Sequence, residues 1–599
     1  MQKKKWRGVF IFFSVFLFSC SLNNPTSSIS NSSFITSEFK AKLQLNQSSL
    51  FLEVGNSFQF VATFLDEEVA GGKWTSMDET IATIENGNVQ ALKEGTTKIT
   101  CFYEDQEASC KVTVLKEKDE EQKSGEVHMY AMNDFHGAIQ ANGREIGFLK
   151  NATFFKEKGR EENTLILNSG DMFQGSIYSN SNYGEFLAKA MNNIGFDGFT
   201  LGNHEFDWGQ EYIQKNRQLE DEVTKYQTPY LGANIYYYDI EKGKTLQHAD
   251  DLVDSYVIRD LENGLRIGII GVIGENQITS ITSNYVDNLS FEIPTGIIKQ
   301  LSDELRTQQK CDAIILDAHA SFSQIDESVT STSPISHKKY IDAAFLAHSH
   351  QYEEYIVNNV PFVQGSSNGK SYSEIHLKLT NGTVENVEYS SHQNGNLETA
   401  KIQNYDTELQ DLYTQYIEKA EEKASEVLGN IDGDLYSSCN SSPSLPKLVV
   451  KAMGEEAIKQ GYKIDFALCN NARATLYRGV ISYETLYKSL PFDNEIYVLR
   501  VRGDSIIRQS RYNSIYCATN KKISENEYYL IAVIDYLAFH RSSYRQYDYF
   551  PHQTYVGKLT KEGYSIYNYR DLVADYIRIQ KNIQANDFTE NQSCFVLNL

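Results

Sequence analysis

At 599 residues the chain exceeds any single domain, and at about 150 residues apiece it holds about four folding units. Its formal net charge of −23 excludes the broad basic face that a nucleic-acid backbone requires, so no nucleic-acid polymer is expected as a partner. An apolar fraction of 41% allows large cores, and an acidic protein that handles anions must gather positive charge locally, through arginines or metals.

The first twenty residues, MQKKKWRGVFIFFSVFLFSC, pair a basic start with an apolar run from Gly8 to Phe18. That run is too short to span a bilayer and has the make-up of an export signal. Leu17-Phe18-Ser19-Cys20 resembles the bacterial lipobox, which implies lipidation of Cys20 and a membrane-anchored, extracytoplasmic protein. An uncleaved anchor or a plain signal peptide stays open, and each of these also exports the chain. Residues 21–38 are rich in Ser, Thr and Asn and read as a flexible tether.

Residues 39–116 change to short alternating strands with a tight-turn signal at Asn86-Gly87, the pattern of a β-sandwich. The words KWTSMDETIATIENGNVQALKEGTTKIT (73–100) resemble bacterial Ig-like group 2 domains. That resemblance implies either a spacer or a module with a cell-wall or surface ligand. Apart from Cys20, the cysteines Cys101, Cys110, Cys311, Cys439, Cys469, Cys517 and Cys594 are an odd, sparse set, which is no disulfide framework. Cys101 and Cys110 flank a short hairpin, where one bridge is feasible.

Residues 117–126 form a charged linker, and 127–400 alternate strand and helix as a layered α/β domain does. Residues 401–429 read as a connecting helix from the spacing of Leu409, Leu412, Ile417 and Ala420, and 430–599 are mixed α/β. Within 127–400, five strand-like runs each end in a polar cluster: Asp134 with His136, Asp171, Asn203 through Asp207, His319, and His348 with His350. Ligand sites in open α/β sheets lie at the carboxyl ends of strands, so these clusters can converge on one edge. His, Asp and Asn without thiolate suit Zn²⁺, Mn²⁺ or Fe²⁺, and the set is too large for one ion. Two ions sharing a carboxylate clamp displacement at phosphorus. His128, His248, His376 and His552 read as structural or surface residues.

DxH (134–136), GDxxxGS (170–176), GNHEFD (202–207), a lone His and HxH (348–350) resemble the 5′-nucleotidase branch of dinuclear metallophosphoesterases. The resemblance implies a four-layer α/β/β/α catalytic domain after the Ig-like sandwich, then a mixed α/β C-terminal substrate domain. It implies that Asp134, His136 and His350 hold one divalent metal, that Asp171 bridges, and that Asn203, His319 and His348 hold the other. His204 and Asp207 become a catalytic pair. The family commonly has Gln where this chain has His350. Zn²⁺ or Mn²⁺ are the expected ions.

In 464–506, Arg473 and Pro491-Phe492 fit the family's substrate domain, where the arginine binds phosphate and the phenylalanine stacks on a base. Asn470 and Tyr536 are further candidates. Three departures stand out: a shortened turn before Arg473, no basic residue in SSCNSSPS (437–444), and FHRSSYRQYDYF (539–550) in place of a ribose-binding Gly-Gly-Asp, with Arg541 or Arg545 as replacements. The expected activity is hydrolysis of nucleotide phosphate esters outside the cytoplasm, releasing nucleoside and phosphate for scavenging. Cyclic-nucleotide or UDP-sugar hydrolysis on the same architecture is the alternative, and a surface adhesin on a degenerate enzyme scaffold is a third, which the intact ligand set argues against.

Overall fold

The computed structural model describes residues 43–589 apart from 65–66, 70, 116–122, 393–396, 520–521, 541–546 and 563–566. Cys20, the 21–38 tether, Arg541 and Arg545 therefore lie outside the described residues. Among the described residues no helix is long and apolar enough to cross a membrane.

Residues 43–115 form short strands in small sheets that close on Leu50, Leu52, Val89, Ile99 and Val112. Strict alternation puts Leu50 and Leu52 of Ser49–Glu53, and Cys110, Val112 and Val114 of Gln106–Leu115, inside. Asn86 and Gly87 both take positive φ (51° and 81°) and join Ala82–Glu85 to Asn88–Ala91. The hairpin carrying Cys101 and Cys110 forms, but its register pairs Cys101 with Ala108 and Cys110 with Ile99. The two cysteines are not opposed, and both are free, buried thiols.

Nine strands position the site: β1 (Gly125–Met132), β2 (Thr164–Asn168), β3 (Gly198–Thr200), β4 (Arg266–Ile273), β5 (Ala313–His319), β6 (Ala343–Phe345), β7 (Val360–Gln364), β8 (Tyr372–Thr380) and β9 (Thr383–His392). One sheet runs β3-β2-β1-β8-β9, with β1, β2 and β3 parallel and β8 antiparallel to β1. The other contains β4-β5-β6-β7, all parallel. Strands buried on both faces need apolar residues throughout, which is why RIGIIGVI and AIILDAH lack simple alternation. Met129, Leu167, Ile269, Ile315, Phe345 and Ile375 fill the space between the sheets. Helices Phe148–Lys158 and Glu185–Ile194 cover the first sheet, and Pro294–Thr307 covers the second, completing four layers.

Helix Thr407–Ala424 follows, capped by the Asp406 side chain accepting from the Glu408 and Leu409 amides. Buried Lys156 pins this start to the catalytic domain through Asp406 (2.9 Å) and Glu408 (2.7 Å). In the C-terminal domain a five-stranded mixed sheet, with Phe466–Cys469 and Tyr528–Ile534 inside, packs against helices Leu445–Lys459 and Tyr569–Gln580.

The Ig-like sandwich does not hang free. Ile335 of the catalytic domain belongs to the sandwich core, and Lys310 pairs with Glu53 at 2.9 Å beside it. Ile335→Ala is expected to cost about 2–5 kcal/mol at this seam. Calorimetric unfolding checks this, with the transition of the Ig-like module falling and that of the catalytic domain unchanged.

Candidate active site

Parallel pairing brings the carboxyl ends of β1, β2, β3, β5 and β6 to one edge. Beyond each end the backbone turns sharply, and Asp134, His136, Asp171, His348 and His350 all have φ between 47° and 74°. Non-glycine residues adopt this left-handed region at a cost of about 1–3 kcal/mol, and clusters of them mark functional sites. Gly202 permits the closest approach: a Cβ there would lie 2.3 Å from Asp171 Oδ1.

The side chains gather in two groups that share Asp171. In the first, His350 Nε2 lies 3.2 Å from Asp134 Oδ1 and 3.1 Å from His136 Nε2. In the second, His319 Nε2 and His348 Nδ1 lie 3.3 and 3.1 Å from Asn203 Oδ1. Asp171 Oδ1 accepts the His204 amide at 2.8 Å, leaving Oδ2 between His136 Nε2 (3.9 Å) and His319 Nε2 (3.3 Å). Ring tautomers are fixed from behind: His136 Nδ1 donates to the Gln174 carbonyl at 3.0 Å and His319 Nδ1 to the Ser169 carbonyl at 2.8 Å. Each Nε2 is thus turned inward, where a metal-binding imidazole presents its lone pair. At His319 burial is outweighed by Asp171, which holds that ring up to about 9. Burial pushes His136 down to about 3, so it is neutral, as ligation also demands. Imidazole nitrogens facing one another with carboxylate and amide oxygens have too few protons to share, which is a donor set suited to cations.

His204 Nδ1 meets Asp207 Oδ2 at 2.7 Å. Burial opposes charge on this imidazole, but Asp207 and then Asp171 more than offset it and hold the pKa at about 9. Bound cations alongside would lower it. Glu205, which carries no role in the motif reading, is buried and accepts four backbone N–H groups. Oε2 takes Gly202 (2.8 Å) and Asp171 (2.9 Å), and Oε1 takes Met172 (2.9 Å) and Phe173 (3.4 Å). One carboxylate therefore ties the loop carrying Asp171 to the loop carrying Asn203. The GNHEF stretch gives no local hint of this, because three of the four partners lie more than thirty residues away.

A cavity of about 430 Å³ opens between the catalytic and C-terminal domains over these clusters. Asn470, Arg473, Phe492 and Tyr536 all line it, together with Asp171, Asn203, His204, His348 and His350. Arg473 is exposed, and its guanidinium makes no hydrogen bond or ion pair with the described residues. The Phe492 ring stacks on His204 at 5.8 Å between centroids. Sequence reasoning missed what holds Phe492: buried Arg570 donates to the carbonyls of Leu490, Pro491 and Phe492 (3.1–3.2 Å) and pairs with Asp493. Across the cleft, Trp208 Nε1 donates to Asp493 (3.1 Å) and Gln174 Nε2 to the Pro491 carbonyl (3.2 Å). The nearest basic residue to 437–444, Lys447, is occupied by the Ser441 and Thr589 carbonyls, and that segment contributes nothing to the cavity.

A four-layer sandwich with His, Asp and Asn gathered at one sheet edge defines a metallophosphoesterase, and its fold and ligand groups imply divalent metal ions. Residues 128–352 match the calcineurin-like phosphoesterase family, 423–510 the 5′-nucleotidase C-terminal domain, and 41–114 the bacterial Ig-like domain (group 2). Together the phosphoesterase and C-terminal matches make the chain similar to 5′-nucleotidases across both domains that line the cavity. Endonuclease YhcR of Bacillus subtilis is 28% identical over 402 residues, which is 63% of this chain but 32% of that protein, so the chain spans about a third of that relative. A 5′-nucleotidase of Vibrio cholerae is 24% identical over 450 residues, 67% of this chain and 77% of that one. The 5′-nucleotidase precursor of Thermus thermophilus shares the fold with a TM-score of 0.59 at 16% identity, covering 77% of this chain and 97% of that one.

Glu205→Gln puts an amide NH₂ against backbone donors and is expected to lower stability by about 1–3 kcal/mol. Metal affinity should fall about 10–100-fold with it, as measured by urea unfolding and metal titration. Asp207→Asn removes the nearest anion, so the His204 pKa should drop from about 9 toward 6.5 in an NMR titration of the metal-free protein. An unchanged titration would leave Asp171 alone as the source of the shift.

Proposed function

We propose that the chain hydrolyses nucleoside 5′-phosphates and related nucleotide esters to nucleoside and phosphate. The observation that carries this reading is the single cavity in which the shared-Asp171 clusters face an uncommitted arginine and two aromatic side chains. Asp134, His136 and His350 would hold one divalent ion, and Asn203, His319 and His348 the other, with Asp171 common to both. Zn²⁺ or Mn²⁺ suits these nitrogen and oxygen donors. When bound, such ions supply charge neutralisation at phosphate oxygens and acidify water near neutral pH.

The chain's own residues do the rest. Arg473 offers a planar fork to phosphate oxygens, and Asn470 offers an amide beside it. Phe492 and Tyr536 offer aromatic faces to a base, which accept any nucleobase. Asp207 orients His204 and favours its protonated form, so Nε2–H is available to the phosphoryl oxygens as negative charge builds there. The short turn before Arg473 and the absence of a base in 437–444 leave one arginine where two are expected, so phosphate binding leans on Arg473 and the metals.

The same reading places the protein outside the cytoplasm, held by a lipid on Cys20. The basic start, short apolar run and Ser19-Cys20 junction support it. Cys20→Ala should abolish incorporation of labelled fatty acid and release the protein from the membrane fraction.

The deciding experiment supplies the purified protein with Mn²⁺ or Zn²⁺ and follows phosphate release from AMP, a 2′,3′-cyclic nucleotide, UDP-glucose, p-nitrophenyl phosphate and DNA. AMP is expected to turn over. Asp171→Ala should lose both metal and activity, whereas His204→Ala should keep the metal and lose about 10²–10⁴-fold in kcat. Preference for a diester moves the substrate class without moving the site. No turnover of any ester by metal-loaded protein would overturn the enzyme reading and leave the Ig-like module as the working part.

A further inference from the structure

The first sheet carries a second group of metal-capable side chains, toward the amino end of β1 and away from Asp134. Val127, Met129 and Ala131 point into the core between the sheets, so Glu126 and His128 lie on the opposite face. His128 is directly opposite His376 of β8, and His376 is directly opposite Glu388 of β9. The His128 amide donates away from β8, to the Asn163 carbonyl, so the histidine pair is of the non-hydrogen-bonded kind, in which side chains approach most closely. Their rings stack with centroids 4.0 Å apart and planes 13° from parallel.

Two observations set this cluster apart from an ordinary surface ion pair. One ligand atom each from Glu126, His128 and His376 lies within 4.8 Å of the others. His376 Nε2 is sealed from solvent and has no hydrogen bond of good geometry, its nearest acceptor being Glu126 Oε2 at 3.4 Å. Lys378 Nζ holds the other oxygen, Glu126 Oε1, at 3.1 Å and so orients the carboxylate. Glu388 Oε2 stands 4.0 Å from the other ring nitrogen, Nδ1.

We propose that Glu126, His128 and His376 form an accessory site for a divalent transition ion, separate from the clusters at Asp171. Two imidazoles and a carboxylate match Zn²⁺, with a fourth position for water or Glu388. Donors about 2.0–2.2 Å from the ion require only a small contraction of the group and a turn of one stacked ring to aim its lone pair. Such an ion joins β1 to β8 through side chains, beyond their backbone ladder. Its role is structural, since it clasps the strand whose far end carries Asp134.

The test titrates metal-free protein with Zn²⁺ by calorimetry and compares it with His128→Gln and His376→Gln. Each variant is expected to bind one ion fewer per chain, to lose the Zn²⁺-dependent rise in Tm that belongs to that site, and to retain hydrolysis. Equal stoichiometry in all three proteins would overturn the proposal. Should an imidazole variant not fold, Glu126→Gln repeats the test on a half-exposed side chain. A weakening of about 10-fold or more at one site supports the proposal, and unchanged affinity at every site overturns it.

Discussion

Everything at this site depends on where one carboxylate stands. Asp171 belongs to both ligand groups, and its side chain is fixed by the His204 amide on one oxygen while the other is shared by His136 and His319. Two cations can be held close only if a bridging anion offsets their repulsion, and that anion must not move. The Glu205 carboxylate supplies the rigidity by gathering four amides from both loops, including that of Asp171 itself. Burying two carboxylates side by side is costly, and the pKa of Glu205 rises to about 7, with burial and then Asp171 as the causes. Cations held at Asp171 would relieve that repulsion, so the polar interior and the metals would stabilise one another.

The left-handed backbone at five of the clustered residues follows from the same constraint. Strands end where their pairing ends, yet the side chains must turn back over the sheet edge within one or two residues. Histidine and aspartate tolerate that turn better than branched residues do. The strain is offset by inter-strand packing below, where Phe345, Ile315 and Met129 are wholly excluded from water.

Much of this was legible in the sequence, for identifiable reasons. The Ig-like turn at Asn86-Gly87 is local chemistry, and the layered catalytic domain followed from apolar runs of strand length separated by helical spacing. The residues that cluster at the sheet edge could be picked out because each sits within a few positions of a strand end. Other features depended on distance. The register that parts Cys101 from Cys110 is set by two strands pairing along their length, and the hairpin sequence does not encode it. Glu205 and Arg570 act on amides and carbonyls far away in the chain, so neither advertises itself by spacing. His128 and His376 looked like isolated surface histidines because their opposition exists only once β1 and β8 pair.

The seam between the Ig-like module and the catalytic domain has a directional consequence. Lys310, which meets Glu53, lies just before β5 begins, whereas His319 ends that strand at the cavity edge. Seven residues of extended chain, about 23 Å, separate the two rims. The Ig-like module therefore meets the catalytic domain at the end of β5 opposite the cavity. The seam thus buries surface far from the metal-capable residues and leaves the cavity opening clear of the module.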